Sequence, residues 1–226
     1  MCAFERSEKG MDFLMKKINM KSLIITSIVC LLPIICGLMF YNELPESIAI
    51  HWGIDNNPNG YFSKPAFVFG LPIMMLALQV FCCIVSDLSD KNPEANKKAV
   101  TVYKWIIPII TVVLYIVTMA VAFGNDLDIR KIVMILLGIL FIISGNYMPK
   151  VRSNYYMNSK IFWVKNRDEK LVNKAVKISA YGLIICGILF ILSILFKPVV
   201  SVAVLIGMIL FCLVIYLYVY IKSRKE

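Results

Sequence analysis

Six stretches of this chain contain no Asp, Glu, Lys, Arg or His: Ser22 to Phe40, Ala66 to Ser86, Trp105 to Phe123, Ile132 to Met148, Ile178 to Phe196 and Val199 to Ile221. Each is close to the ~20 residues that cross a ~30 Å hydrocarbon core as a helix. A soluble domain spreads about 25% charged residues over its surface, whereas only 17% of these 226 residues are charged and 60% are hydrophobic. Composition and patterning together exclude an ordinary soluble enzyme. They predict an all-α integral membrane protein with six transmembrane helices.

The last two stretches form one apolar run, Ile178 to Ile221, broken only by Lys197-Pro198. As a single helix it would be roughly 66 Å long at 1.5 Å per residue, about twice the membrane, so the run must fold back. Lys197 at the end of one helix and Pro198 in the first turn of the next suit those positions. The first stretch follows a basic region as a signal peptide would, but it is too long and no small-x-small site follows it. A more natural start is Met15, with a basic lead, so residues 1–14 are assigned no role.

Orientation follows from the positive residues on alternate connections. The segment before the first span holds five, the connection before Trp105 four (Lys91, Lys97, Lys98, Lys104), Pro149 to Lys177 eight, and the tail three. The other side has only Lys64, Arg130, Lys131 and Lys197. Both termini are therefore expected in the cytoplasm of a multi-pass cell-membrane protein, with one long extracytoplasmic cap loop, Tyr41 to Pro65.

Chemistry-bearing constellations are absent. His51 is the single histidine, no Ser sits in a GxSxG turn, and HExxH, GxGxxG and GxxxxGK[ST] do not occur. Near His51 in sequence, only Glu46 and Asp55 could help hold a metal, too few of the right type for a zinc site. Six of the seven cysteines lie inside apolar runs as small buried residues. No catalytic residue, metal or cofactor is expected, and the net charge of +10 follows membrane topology with no nucleic-acid fold signature. At depth only mild polar groups are available. Gln79, Thr111, Tyr115 and Asn146 could line a small-solute or lipid transport path; interhelical hydrogen bonding is their plainer task. Pro33, Pro72 and Pro108 should bend their spans.

Two connections carry information. In the cap loop, Ser47 to Trp52 alternates with Ile48, Ile50 and Trp52 on one side, a strand-like pattern, and Asn57-Pro58-Asn59-Gly60 reads as a tight turn. Trp52, Tyr61 and Phe62 suit a membrane interface. Leu44-Pro45, Ile48, His51-Trp52, Pro58, Gly60 and Ser63-Lys64 resemble the LP-x-x-I-x-x-HW, P-D-G and SK pattern of a small bacterial membrane domain of unknown function. That domain is commonly the amino-terminal half of SdpI-like immunity proteins. Asn56 and Asn59 stand where the pattern usually has Gly and Asp.

The second connection, Gly145 to Lys177, interleaves aromatic with basic residues (Tyr155, Tyr156, Lys160, Phe162, Trp163, Lys165), as a segment lying on an anionic leaflet would. Gly145-Asn146-Tyr147, Lys150, Asn154-Tyr155-Tyr156 and Trp163 resemble the GN-Y-x-x-K and N-Y-F-x-G-I-R-T-P-W stretches of the same family. Asn158, Lys160 and Phe162 fit its G, R and P positions imperfectly. Val172, Ala175 and Val176 replace a later W, T and H.

The resemblance implies three parts: a cytoplasmic basic lead (1–21), an amino-terminal membrane half (22–123, with outer loop 41–65) and an SdpI-like carboxyl half (124–226, with cytoplasmic loop 149–177). It implies a non-enzymatic immunity or sensing protein, facing a secreted peptide toxin outside and in some members a transcriptional repressor inside. The candidate outer recognition residues are His51, Trp52, Asn59, Gly60 and Lys64. The candidate cytoplasmic motif is Gly145, Asn146, Tyr147, Lys150, Asn154, Tyr155 and Trp163.

Overall fold

A computed structural model describes residues 17–89, 93–151 and 169–223. Its elements run α1 (Met20–Met39), β1 (Ser47–Trp52), β2 (Pro58–Ser63), a π-helical turn (Ala66–Gly70) leading into α2 (Leu71–Ser89), α3 (Pro93–Ala122), α4 (Ile129–Tyr147), a 3₁₀ turn (Met148–Lys150), α5 (Glu169–Ser193) and α6 (Pro198–Ser223). Among the described residues six helices are long and apolar enough to cross a membrane, one for each apolar stretch. The protein is an integral, multi-pass helical membrane protein.

Local chemistry sets the helix ends. Asn19 and Asp128 accept hydrogen bonds from the backbone N–H groups of Ser22 and Lys131, each at 3.0 Å, so α1 and α4 start on N-caps that satisfy otherwise orphaned donors. The fold-back at Lys197-Pro198 is present, with Pro198 as the first residue of α6. Lys197 is not in the last turn of α5, however: that helix stops at Ser193, and Ile194, Leu195 and Phe196 close successive turns onto the carbonyls of Ile191, Leu192 and Ser193. A hydrogen bond of 2.8 Å between the buried hydroxyls of Ser193 and Ser201 ties the two helices together there.

Helix α3 needs the largest correction. It does not begin near Trp105 but at Pro93, so Lys97, Lys98 and Lys104 are helical and not part of a connection. Its 30 residues make about 45 Å of helix, longer than the hydrocarbon core, which lets the charged first turns project at one end. Lys104 is nonetheless buried, because it meets a carboxylate on α2.

Helices α1, α2 and α3 pack on one another, α4 packs along α5, and α6 lies against α5; α3 and α4, although consecutive, touch sparingly. Leucine gains little by leaving lipid for a neighbouring helix, so close approach of backbones through small residues drives such packing. The α4–α5 seam is built this way. A Cβ on Gly138 would sit 2.7 Å from the Gly187 carbonyl oxygen, one on Gly187 2.6 Å from that of Gly138, and one on Gly145 2.5 Å from that of Ala180. The three glycines are buried in the seam.

Gly187→Val should therefore lower stability by about 1–3 kcal/mol, the usual range for overpacking, and Gly145→Val should do the same. Gly207→Ala, where nothing lies within 4 Å of the added carbon, should leave stability unchanged or slightly raised. Scanning fluorimetry of the detergent-solubilised protein, with melting points ordered Gly207→Ala, wild type, Gly187→Val from high to low, checks the assignment.

Candidate functional site

The connection between α1 and α2 is a docked hairpin. Strands β1 and β2 pair antiparallel, with Ser47 opposite Ser63, Ile48 opposite Phe62 and His51 opposite Gly60. Alternation in β1 has the expected sense: Ile48 is buried, Ile50 and Trp52 are half-buried, and Ser47 and His51 are exposed. Ile48 joins Leu44, Phe67, Val68, Tyr115 and Met119 in a core cluster, and Ile50 and Phe62 pack against it. The hairpin is thereby held on the ends of α1 and α3 and on the turn before α2.

The reversal comes earlier than Asn57-Pro58-Asn59-Gly60 suggests. Pro58, Asn59 and Gly60 belong to β2, and the loop is Ile54-Asp55-Asn56. The Gly53 N–H donates to the Asn57 carbonyl (2.8 Å), the Asn56 N–H donates to that of Gly53 (3.1 Å), and Asn56 has φ of 64°. This is the three-residue hairpin loop whose last residue is left-handed. Asn tolerates that region better than most side chains, which explains how it can stand where the family pattern has Gly. Asp55 accepts from the Asn57 side chain (2.6 Å) and backbone (3.2 Å), and these bonds hold its carboxyl below the usual carboxylate range.

The Asn56 side chain also fastens the loop to the bundle. Its Oδ1 accepts from the N–H groups of Ile129 (2.8 Å) and Arg130 (3.4 Å), and its Nδ2 donates to the Leu127 carbonyl (3.1 Å). The first turn of α4 thus has its donors divided between Asn56 from the hairpin and Asp128 from its own cap. Burial alone would raise the Asp128 pKa, but the Lys131 N–H and ammonium, with Arg130 nearby, outweigh it and hold the carboxyl below its ordinary value.

The sequence-derived residues at this end separate into two groups. His51 and Asn59 form a side-chain pair, Nδ1 to Oδ1 at 2.5 Å, on the exposed face. Gly60 lies under His51, and a Cβ there would come within 2.9 Å of the His51 Cβ. Trp52 is half-buried and lines a cleft of about 380 Å³ that His51 also borders, with Ile50, Leu71, Leu114, Val133 and Arg130 among its walls. Lys64 is away from both. It is buried, donates to Glu46 Oε1 at 2.9 Å and lies 5.3 Å from the Tyr41 ring centroid, and its N–H closes the base of the hairpin on the Glu46 carbonyl.

The opposite end of the bundle holds the residues beginning at Gly145. Gly145 has the packing task in the α4–α5 seam; Asn146 and Lys150 are exposed, and the Lys150 ammonium lies 4.3 Å over the Tyr147 ring. Asn154, Tyr155 and Trp163 lie outside the described residues.

Close by is a cluster that the uncharged spans gave no reason to expect. Lys104 Nζ and Asp87 Oδ1 pair at 2.5 Å with side chains 4% and 9% exposed. Asp87 also accepts from the Asn19 N–H at 2.9 Å, and Gln79 donates to the Lys104 carbonyl at 2.9 Å. A buried ion pair survives desolvation only with such additional bonds, and here they join α1, α2 and α3. Gln79, Thr111, Tyr115 and Asn146 are not brought together. Gln79 serves the Lys104 cluster, Thr111 bonds its own helix at Ile107, Tyr115 stacks on Phe67 in the hairpin core, and Asn146 is exposed.

Sequence reasoning missed Asn56, Arg130 and the Asp87–Lys104 pair. The available signals were an Asn in a Gly position, a cation two residues inside a predicted connection, and a lysine close to the start of an apolar stretch.

Comparison with known proteins agrees with this layout. A family described as "Domain of unknown function (DUF1648)" matches residues 28–76, which include the whole hairpin. Immunity protein SdpI of Bacillus subtilis (strain 168) is 26% identical over 196 residues, covering 87% of this chain and 92% of that protein. No solved structure matches the chain. The likeness to this immunity protein therefore extends along most of both chains.

Two measurements probe the hairpin anchor. Asn56→Gly keeps the left-handed backbone but loses three side-chain hydrogen bonds, and should cost about 1–3 kcal/mol; Asn56→Ala, which adds backbone strain, should cost more in the same thermal assay. For Asp128, a depressed folded pKa means its stabilisation is fully present above the unfolded value of 3.8 and is lost as pH falls through the lower folded value. Stability measured from pH 6 downward, within about pH 2–6, should fall less steeply at the acid end in Asp128→Asn than in the wild type.

Proposed function

We propose that this protein is a non-enzymatic membrane immunity protein that protects its host from a secreted peptide toxin, with the hairpin end as its recognition surface. The observation that carries the reading is the likeness to an immunity protein along nearly the full length of both chains. The docked hairpin supports it physically: the exposed His51 and Asn59 side chains pair on its outer face, where they offer polar contacts to a peptide arriving at the membrane surface. The excess of Lys and Arg on the other connections supports cytoplasmic termini and an outward-facing hairpin.

The exposed Asn146 and Lys150, with Tyr147 between them, belong to the cytoplasmic surface in this reading, where a repressor or the inner leaflet would be met; Gly145 supports it from the α4–α5 seam, and Asn154, Tyr155 and Trp163 are further candidates outside the described residues. A ligand at the hairpin alters that surface only if it binds two arrangements of the bundle unequally. A transport path has no comparable support, because the four polar groups that would line it are not brought together: Gln79 and Thr111 bond to separate backbone carbonyls, Tyr115 packs under the hairpin, and Asn146 is exposed.

The reading is tested by expressing the protein in a toxin-sensitive strain and exposing the cells to supernatant from a producer that depends on an SdpI-like protein. Survival above the empty-vector strain is expected; equal killing overturns the proposal. His51→Ala should reduce survival at unchanged membrane abundance, since an exposed residue shifts stability by only about 0.5 kcal/mol. A cysteine at Asn57 should react with an impermeant maleimide from outside intact cells, and protection from that reagent would reverse the assigned faces.

A further inference from the structure

The cleft beneath β1 contains a buried guanidinium with one unpartnered nitrogen. Arg130 lines it, and Nη1 of its guanidinium is buried with no hydrogen-bond partner among the described residues. The side chain is only 14% exposed, and the nearest carboxylate, Asp128, is 4.0 Å from Nη2. That carboxylate is engaged elsewhere: it caps α4 through the Lys131 N–H and pairs with the Lys131 ammonium at 3.1 Å. The other donors at this helix start are also taken, the Ile129 and Arg130 N–H groups by Asn56. Among the described residues Arg130 Nη1 is thus a buried donor on the cleft wall with no partner, and leaving a charged donor buried and unpaired is costly.

Apart from Thr118 and the rim residue His51, the rest of the wall is apolar and runs downward. Leu114 and Val117 on α3, and Val133 and Met134 on α4, lie below Arg130 and within the membrane-spanning segments. Trp52 and His51 stand at the rim, on the hairpin. Because α3 and α4 touch sparingly, the space between them is bounded by side chains and not closed by a helix seam. Charge at the helix ends with hydrocarbon beneath it is the layout of a phospholipid: an anionic head at interface level and acyl chains below. A peptide docking from the aqueous side would have to place its apolar part at the depth lipid chains already occupy.

We propose that the cleft between β1, α3 and α4 is a binding site for an anionic phospholipid, with Arg130 receiving the phosphate and the Leu114–Val133 walls receiving the upper acyl chain. This inference is independent of the protective role proposed above. Arg suits phosphate because its planar fork can donate two parallel hydrogen bonds.

Trp52 provides the readout. The chain has three tryptophans, so a full-length variant carrying Trp105→Phe and Trp163→Phe reports from the cleft alone. It is reconstituted in phosphatidylcholine bilayers containing increasing fractions of phosphatidylglycerol brominated high on the acyl chains. Trp52 quenching should saturate at a low fraction of the brominated anionic lipid, whereas brominated phosphatidylcholine should quench only in proportion to its amount. Arg130→Gln should raise the half-quenching fraction about tenfold, the loss of one charged hydrogen bond, and Arg130→Lys should raise it less.

Val133→Phe, which narrows the cleft and leaves the charge in place, should also raise the half-quenching fraction, so the test does not depend on Arg130 variants alone. Equal quenching by the two lipids with no effect of Arg130→Gln or Val133→Phe overturns the proposal. So does full reversal of quenching by inorganic phosphate, which would make this a simple anion site. Trp52 emission unaffected by any lipid but shifted by a hydrophobic peptide with a free carboxyl terminus would assign the cleft to peptide instead, and also overturns it.

Discussion

Hydrocarbon offers no reward for bringing leucine to leucine, and that constraint organises the whole molecule. Helices that are apolar on every face must find each other through shape and through polar groups that lipid cannot satisfy. The chain uses both means in separate places. Along the α4–α5 seam, Gly138, Gly145 and Gly187 let backbone approach backbone. Among α1, α2 and α3, the Asp87–Lys104 pair and Gln79 supply the polar attachment, and the Leu44–Met119 cluster under the hairpin supplies the packed one. Large apolar side chains such as Ile28, Phe81, Ile185 and Leu213 are left exposed on the outside of the bundle, where lipid is their solvent.

The same constraint concentrates functional chemistry at the two ends. A carboxylate or guanidinium in mid-membrane would need a partner at once, so charge is found where the helices meet the interface. At one end, Lys104 and Asp87 satisfy each other, and Asp87 also takes the Asn19 N–H. At the hairpin end the accounting is incomplete: Asn56 and Asp128 satisfy the first turn of α4, Lys64 is matched by Glu46, and Arg130 keeps one donor unspent. A closed polar cluster holds helices together, whereas an open one beside a cavity is arranged to receive something.

How much of this was legible in the sequence depends on the range over which each cause acts. The spans were readable because an uncharged run of membrane length is a local property, and the fold-back at Lys197-Pro198 because a single helix there would be too long for any bilayer. The alternation from Ser47 to Trp52 was readable for the same local reason. The loop between the strands was not: Asn57-Pro58-Asn59-Gly60 has stronger turn chemistry, but the tip is set by Asn56, whose side chain reaches Leu127 just before α4 and Ile129 and Arg130 in its first turn. That contact lies more than seventy residues away along the chain. The start of α3 was misplaced because hydropathy marks where a helix becomes apolar, not where it begins, and Lys104 is tolerated only because Asp87 arrives from α2. The candidate residues divide on the same principle. His51, Asn59 and Gly60 are cross-strand neighbours that a hairpin register brings together, but the sequence alone could not separate Lys64 and Gly145, which have contacts in the architecture, from residues that face outward.

Asn56 links these levels. With Gly at that position the loop would close equally well, since both residues accept a left-handed backbone, but the hairpin would lose its hold on α4. With Asn, hairpin and helix start share hydrogen bonds, and β1 is carried directly over Arg130, so Trp52 and the guanidinium line one cleft. Any ligand that pulls on Arg130 therefore acts on the first turn of α4, whose far end at Gly145 is locked to α5 through backbone contact. A rigid helix of 19 residues joins the cleft to the opposite end of the bundle, so a shift of its first turn relative to the hairpin has a direct mechanical route to the residues around Lys150.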